Sequence, residues 1–233
     1  MRVRGEDRNG YRRAFQAALL AAAALLIFSA AVGAHSEPIR MEPGAGGVVF
    51  LPYGGGAVSG TITARIWLSE RADRGFTVIE VYDPAGERVD VPGSLAFESQ
   101  GAIVSLKIAP KRLGEHTIRY RILSAVDGHL AQGSVSFVAA AATPGPGAEP
   151  SAPPAALAFR LPRELGARTI TVTVLRNGER IFSGQASFAP AGEVDAAEIE
   201  LSDGAPGTYE VRWELATAAG PKFGVYSFSV GGS

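Results

Sequence analysis

Residues 116–138 read HTIRYRILSAVDGHLAQGSVSFV. Runs of alternating or β-branched residues over His116–Leu123 and Gly133–Val138 predict two strands, and between them lies the loop Ser124-Ala-Val-Asp-Gly-His129. Gly128 permits a sharp bend there, since a residue without Cβ takes positive φ at no steric cost. Asp127 and His129 then share the loop. In an extended Asp-x-His segment, residues two apart project to one side, so a carboxylate oxygen and an imidazole nitrogen can reach a common point.

The same pattern recurs on either side of this stretch. Val58–Leu68, Phe76–Tyr82 and Ile103–Ile108 are further candidate strands. Asp83-Pro84-Ala85-Gly86, ahead of Arg88–Val91, has the composition of a hairpin turn: proline presets φ and glycine tolerates positive φ. Beyond Glu37 no stretch carries a helical period. The expected fold class is an all-β sandwich.

After Val138 the composition changes to AAAATPGPGAEPSAPPA over residues 139–155. Nothing large is available to bury, and several prolines cannot donate to a sheet, so residues 140–155 are expected to be an interdomain linker. A second strand-rich block follows, with Thr169–Leu175, Ile181–Phe188, Ala197–Leu201, Thr208–Leu215 and Gly224–Val230 as candidate strands. Its Asn177-Gly178 pair favours a tight hairpin. The two blocks align as distant copies: Gly114–Tyr120 (GEHTIRY) with Gly207–Trp213 (GTYEVRW), Gly86-Glu-Arg88 with Gly178-Glu-Arg180, and Ser136-Phe-Val138 with Ser227–Val230. The expected organisation is a signal peptide over 1–34, a β-sandwich over 35–139, the linker, and a second β-sandwich over 156–233. The alternative is that unrelated sandwiches share such strand patterns.

The signal is read from three parts: an arginine-rich start ending in Arg12-Arg13, the apolar run Ala14–Val32, and the small-residue exit Val32-Gly33-Ala34. Cleavage after Ala34 would leave His35 as the mature N-terminus. A retained membrane anchor is the competing reading, because the apolar run approaches the length of a bilayer span. The formal charge is −1, and Arg2, Arg4, Arg8, Arg12 and Arg13 all lie in the signal, so the remaining body is more acidic still. No basic patch suits nucleic acid, which demands clustered cations. There is no cysteine, which excludes thiol chemistry. Met41 is the sole methionine besides Met1, which argues against a methionine-rich soft-metal site.

Only three histidines occur, at positions 35, 116 and 129. A cleaved His35 would add an imidazole and a free α-amine to the Asp127 carboxylate and the His129 imidazole. That set of three nitrogens and one oxygen suits tetragonal Cu(II) better than Ca(II), Mg(II) or Cu(I). The amine, with an ordinary pKa near 8, would be held deprotonated by the cation. His116 lies mid-strand, where Tyr209 stands in the second copy, and is read as structural. Glu70 ends the strand carrying Trp67, as a solvated strand end or a support to the metal site. Asp127 also suits a plain Asp-Gly turn.

Ala34-His-Ser-Glu-Pro38, Ala64–Glu70 (ARIWLSE), the Asp83–Gly86 turn and above all Tyr120–Phe137, with its S-x-x-DGH and G-S-x-S-F elements, together resemble the CopC family of periplasmic copper-binding proteins. The resemblance covers about residues 35–139. It implies a small Greek-key sandwich, with one Cu(II) ion held by the mature N-terminal histidine and the Asp and His of the DGH loop, here His35, Asp127 and His129. The loop is one residue longer than the commonest family spacing, and the methionine-rich Cu(I) site is missing, so the resemblance is to members that bind Cu(II) alone.

The functional expectation is a periplasmic, non-enzymatic protein of copper homeostasis or resistance, which buffers copper or passes it to an inner-membrane copper transporter. An N-terminal-histidine copper monooxygenase and a metal-free Ig-like scaffold are the alternatives. Ala216–Gly224, at the place of the DGH loop in the second block, has neither His nor carboxylate. That block is expected to be a spacer or a docking module for an unidentified partner. No G-x-S-x-G, H-E-x-x-H or P-loop occurs.

Overall fold

The computed structural model describes residues 37–202 and 204–231. The expected signal segment, its expected cleavage residue Ala34 and His35 lie outside the described residues. Apart from two short 3-10 turns, the regular elements described are strands. In the first half these are β1 (Pro38–Glu42), β2 (Gly47–Gly54), β3 (Ala57–Val58), β4 (Ile62–Leu68), β5 (Val78–Tyr82), β6 (Ala96–Glu98), β7 (Ile103–Ile108), β8 (Gly114–Leu123) and β9 (Leu130–Thr143). The second half holds β10 (Ala156–Pro162), β11 (Thr169–Arg176), β12 (Glu179–Ser187), β13 (Ala189–Ala191), β14 (Val194–Glu200), β15 (Gly207–Thr217) and β16 (Gly220–Val230). The architecture is two β-sandwiches in tandem. Among the described residues no helix is long and apolar enough to cross a membrane.

One sheet of the first sandwich runs β1-β4-β7-β6, and its partner is built on β5, β8 and β9. In the second, the sheet β12-β11-β15-β16 faces β10 and β14. Alternation places the cores. In β8, Ile118 and Ile122 are buried while Arg119 and Arg121 are exposed. In β15, Tyr209, Val211, Trp213 and Leu215 point inward while Thr208, Arg212 and Glu214 face out. Arg88–Val91, expected as a strand after the Asp83 turn, makes only isolated bridges, Tyr82 to Arg88 and Asp90 to Ile108. Asp83 closes that turn by accepting the Ala85 and Glu87 amides, and Arg112 binds its carboxylate.

The linker expectation needs one correction. Residues 140–143 are not linker but the second half of β9, a strand that serves both sandwiches. β9 pairs with β8 through Ala139, with β10 through Ala141–Thr143, and in parallel with β2 from Gly47–Phe137 to Pro52–Ala142. Alanines form this strand because tertiary packing overrides their weak β-propensity. Their small side chains let β2 and β10 approach and bring Phe50, Phe159 and Trp213 together, with Phe50 edge-on to Trp213 at 5.0 Å. β2 is shared as well: Val48 and Phe50 pack into the second core, and Val49 into the first. The two sandwiches thus form a single unit over the described residues.

Candidate copper site

Strands β8 and β9 close at the pair Leu123–Leu130, and the loop Ser124–His129 joins them. Ser124, 2% exposed, organises it. Its amide donates to the His129 carbonyl (2.8 Å), and its own carbonyl accepts the Gly128 amide (3.1 Å). Its Oγ accepts the Val126 and Asp127 amides (3.1 and 3.3 Å) and donates to Glu70 Oε2 (2.7 Å). Gly128 sits at φ +75°, a value that disfavours side chains with Cβ.

Asp127 and His129 are brought together, though not by the extended geometry expected from their spacing. Asp127 lies in a turn, where its Oδ1 accepts the His129 amide (3.0 Å) in an Asx turn. Its Oδ2 lies 2.6 Å from His129 Nδ1. Chiefly through that amide bond, the Asp127 carboxyl is held down to about 2. It is ionised at any physiological pH, as a metal ligand or a partner of imidazolium must be. In a neutral imidazole, donation from Nδ1–H to the carboxylate would place the acceptor lone pair on Nε2, an orientation metal-binding histidines use. The imidazole side chain is 59% exposed, so a metal can approach it.

The N-terminal limb meets the same end of the molecule. Glu37 and Ser69 are joined twice, through the Ser69 amide to the Glu37 carbonyl and the Glu37 amide to Ser69 Oγ, both 3.0 Å. Glu70, the next residue, is the carboxylate that holds Ser124. The Ala125 amide donates to the Arg71 carbonyl (2.8 Å), tying the loop a second time to the segment that follows β4. Ser124 and Glu70 are neighbours that sequence reading placed apart or left open. Only the serine that precedes the Asp-Gly-His triplet by three positions signals the contact.

His116 is not part of this site. It lies at the far end of β8, roughly 25 Å along the strand from Ser124. It is fully buried, stacks on Phe137 (5.3 Å between centroids) and shares Nδ1 with the Gly114 carbonyl (3.1 Å). In the second half β15 and β16 meet through a tight turn, closed by Thr217 Oγ1 on the Gly220 carbonyl (2.6 Å). The loop that would carry ligands is reduced to Ala218-Ala219. Among the described residues no group of three or more His, Asp or Glu converges on one point.

A tandem β-sandwich with an Asp-Gly-His loop closing one edge of the first defines the class. The CopC domain model matches this chain twice, over residues 55–140 and 139–231, and the chain belongs to the CopC family, a family of copper-binding, copper-resistance proteins. Among solved structures, it is similar to CopC from Methylosinus trichosporium OB3b: 19% identity over 46% of this chain and 95% of that one, TM-score 0.36. It is also similar to the titin fragment A168–A169, at 12% identity over 85% and 98% of the two chains with TM-score 0.29. A marsupial T cell receptor matches at 14% identity over 84% and 97%, TM-score 0.29. No curated protein matches the sequence.

Proposed function

We propose that this protein is exported to the periplasm, cleaved after Ala34, and binds one Cu(II) ion as cargo. The ligands are the α-amine and imidazole of His35, the Asp127 carboxylate and the His129 imidazole. The observation that carries the reading is the Asp127–His129 pair, its carboxylate ionised, on a loop bonded to Glu70 and Arg71 beside the Ser69 that bonds Glu37. Two further residues lead back to His35, a reach of about 7 Å. Three nitrogens and one oxygen form a tetragonal set for Cu(II), and the described residues alone offer too few donors for a site. The protein acts without catalysis, buffering the ion or passing it to an inner-membrane copper transporter. The second sandwich, which lacks the ligand loop, has a structural or docking role.

The test is mass spectrometry of the protein recovered from the periplasm, followed by Cu(II) titration. A mature mass starting at His35, a stoichiometry of one, and loss of tight binding in His129→Ala are expected. A mass starting at Ser36, a retained 1–34 segment, or unchanged binding in His129→Ala overturns the reading.

A further inference from the structure

We infer that Ser124 is the positioning residue of this site: its buried hydroxyl clamps the loop bearing Asp127 and His129 to Glu70, just past the end of β4. The inference concerns how the ligands are held, and its link to copper rests on the proposal above. Three contacts of one oxygen carry it. A serine hydroxyl has one proton to give and two lone pairs to fill. Here the proton goes to Glu70 Oε2, and the lone pairs take the Val126 and Asp127 amides. The hydroxyl also lies beside the Asp127 carboxylate, and the side chain is shut off from solvent. The bond to a carboxylate is charge-assisted, the stronger kind.

Ser124 and Glu70 lie 54 residues apart in the sequence. One belongs to the hinge of the β8–β9 hairpin, and the other follows β4 in the opposite sheet. Their bond therefore crosses the sandwich at its rim and fixes the loop against the end of β4. The backbone reinforces it: Ser124 forms a bridge with Ala72, and Ala125 bonds to Arg71, so residues 70–72 and 124–125 make one seam. Without the hydroxyl, the Asp127 amide and the Glu70 carboxylate each lose a partner while the main-chain seam remains. The loop should stay attached but lose its fixed aim. Alanine at this position is expected to loosen Asp127 and His129 without unfolding the sandwich.

The experiment compares wild type, Ser124→Ala, Ser124→Thr and Glu70→Ala in the full mature chain. In the metal-free protein, imidazole nitrogen shifts are expected to report a locked Nδ1–H tautomer for His129 in wild type and Ser124→Thr. In Ser124→Ala they should report an averaged tautomer, with thermal unfolding showing the sandwich retained. With Cu(II), Ser124→Ala should dissociate about tenfold to a hundredfold faster, the range found when supports of metal ligands are removed. Threonine should restore the wild-type rate. The effects of Ser124→Ala and Glu70→Ala should be non-additive, since each breaks the same bond. An unchanged His129 tautomer in Ser124→Ala overturns the inference whatever copper does. So does simple additivity of the two variants in the stability of the metal-free protein. Should wild type fail to bind Cu(II) while Ser124→Ala still releases the imidazole, the copper reading fails and the positioning role stands.

Discussion

His116 and Tyr209 occupy the same place in the two sandwiches. Each is the third residue of a strand that opens on a positive-φ glycine, Gly114 or Gly207, and each is fully buried. Each also pairs across the sheet with a phenylalanine, Phe137 or Phe228, and stacks on it, at 5.3 and 4.7 Å. The satisfaction of their polar atoms differs. Tyr209 Oη donates to the Ala205 carbonyl (2.6 Å) and accepts the Ala205 amide (3.1 Å). His116 bonds only through Nδ1, and its Nε2 is buried without a partner.

That difference makes the first sandwich acid-sensitive. Burial pushes the His116 pKa down; the Gly114 carbonyl and the nearby Asp83 carboxylate oppose it only in part. The unfolded chain takes up its proton near pH 6.5, where the folded one does not, so stability is full above that value. It should fall as pH drops through 6.5 toward the folded pKa. Urea midpoints measured from pH 7.5 to 5.0 should show this decline, and His116→Phe should flatten it. An equal slope in His116→Phe would assign the proton to another histidine.

The duplication extends to paired aromatics and glycines. Tyr120 lies across Gly133, and Trp213 lies across Gly224, both as direct cross-strand pairs. A Cβ on Gly224 would come within 2.2 Å of the Trp213 indole, and one on Gly133 within 2.5 Å of the Tyr120 hydroxyl. The indole is buried beneath the sheet and cannot swing aside, whereas Tyr120 is only half-buried. Gly224→Ala should therefore cost about 1–3 kcal/mol, the usual range for overpacking, and Gly133→Ala less. Paired urea titrations give the ranking, which equal costs would contradict.

The strands that sequence reading found are those whose two faces differ, such as β8, β11 and β15. Alternation is visible wherever one face meets water. β2 and the end of β9 were hidden because both faces are buried, so no alternation exists, and Pro52 and the run of alanines argue against strands on propensity. At the candidate site, Asp127 and His129 were legible from spacing, since they share one loop. Their geometry was not, because the Asx turn rather than an extended chain brings them together. Ser124 and Glu70 could not be joined from sequence, because only the packing of two sheets makes them neighbours.

Sharing of β2 and β9 also predicts how the protein unfolds. Phe50 belongs to the first half of the chain but fills the second core, 5.5 Å from Phe159 and 5.0 Å from Trp213 between ring centroids. Phe50→Ala should cost about 3–5 kcal/mol, as large aromatic deletions do. Both sandwiches should then melt together, in one transition at lower temperature. A fragment ending at Ala139 should be poorly folded, since β2 would lose its partners Ala140–Ala142. Calorimetry resolving two independent transitions would refute the shared core.

Copper stoichiometry follows from the two hairpins. The first joins β8 to β9 through Ser124–His129, long enough to fold a carboxylate back onto an imidazole. The second turns from β15 to β16 through Ala218-Ala219, too short to present any side-chain donor, and neither residue has one. The second half also contains no histidine. Isothermal titration of the full mature chain should therefore give one Cu(II) per chain, and Asp127→Ala should weaken it. On the proposed reading, lengthening the second turn with the sequence SAVDGH should not add a second tight site, because the Asp-His pair there would lack the amine and imidazole assigned to His35 at the first. A second equivalent of tight binding in that variant would mean the loop alone suffices, and that the terminal histidine is not needed.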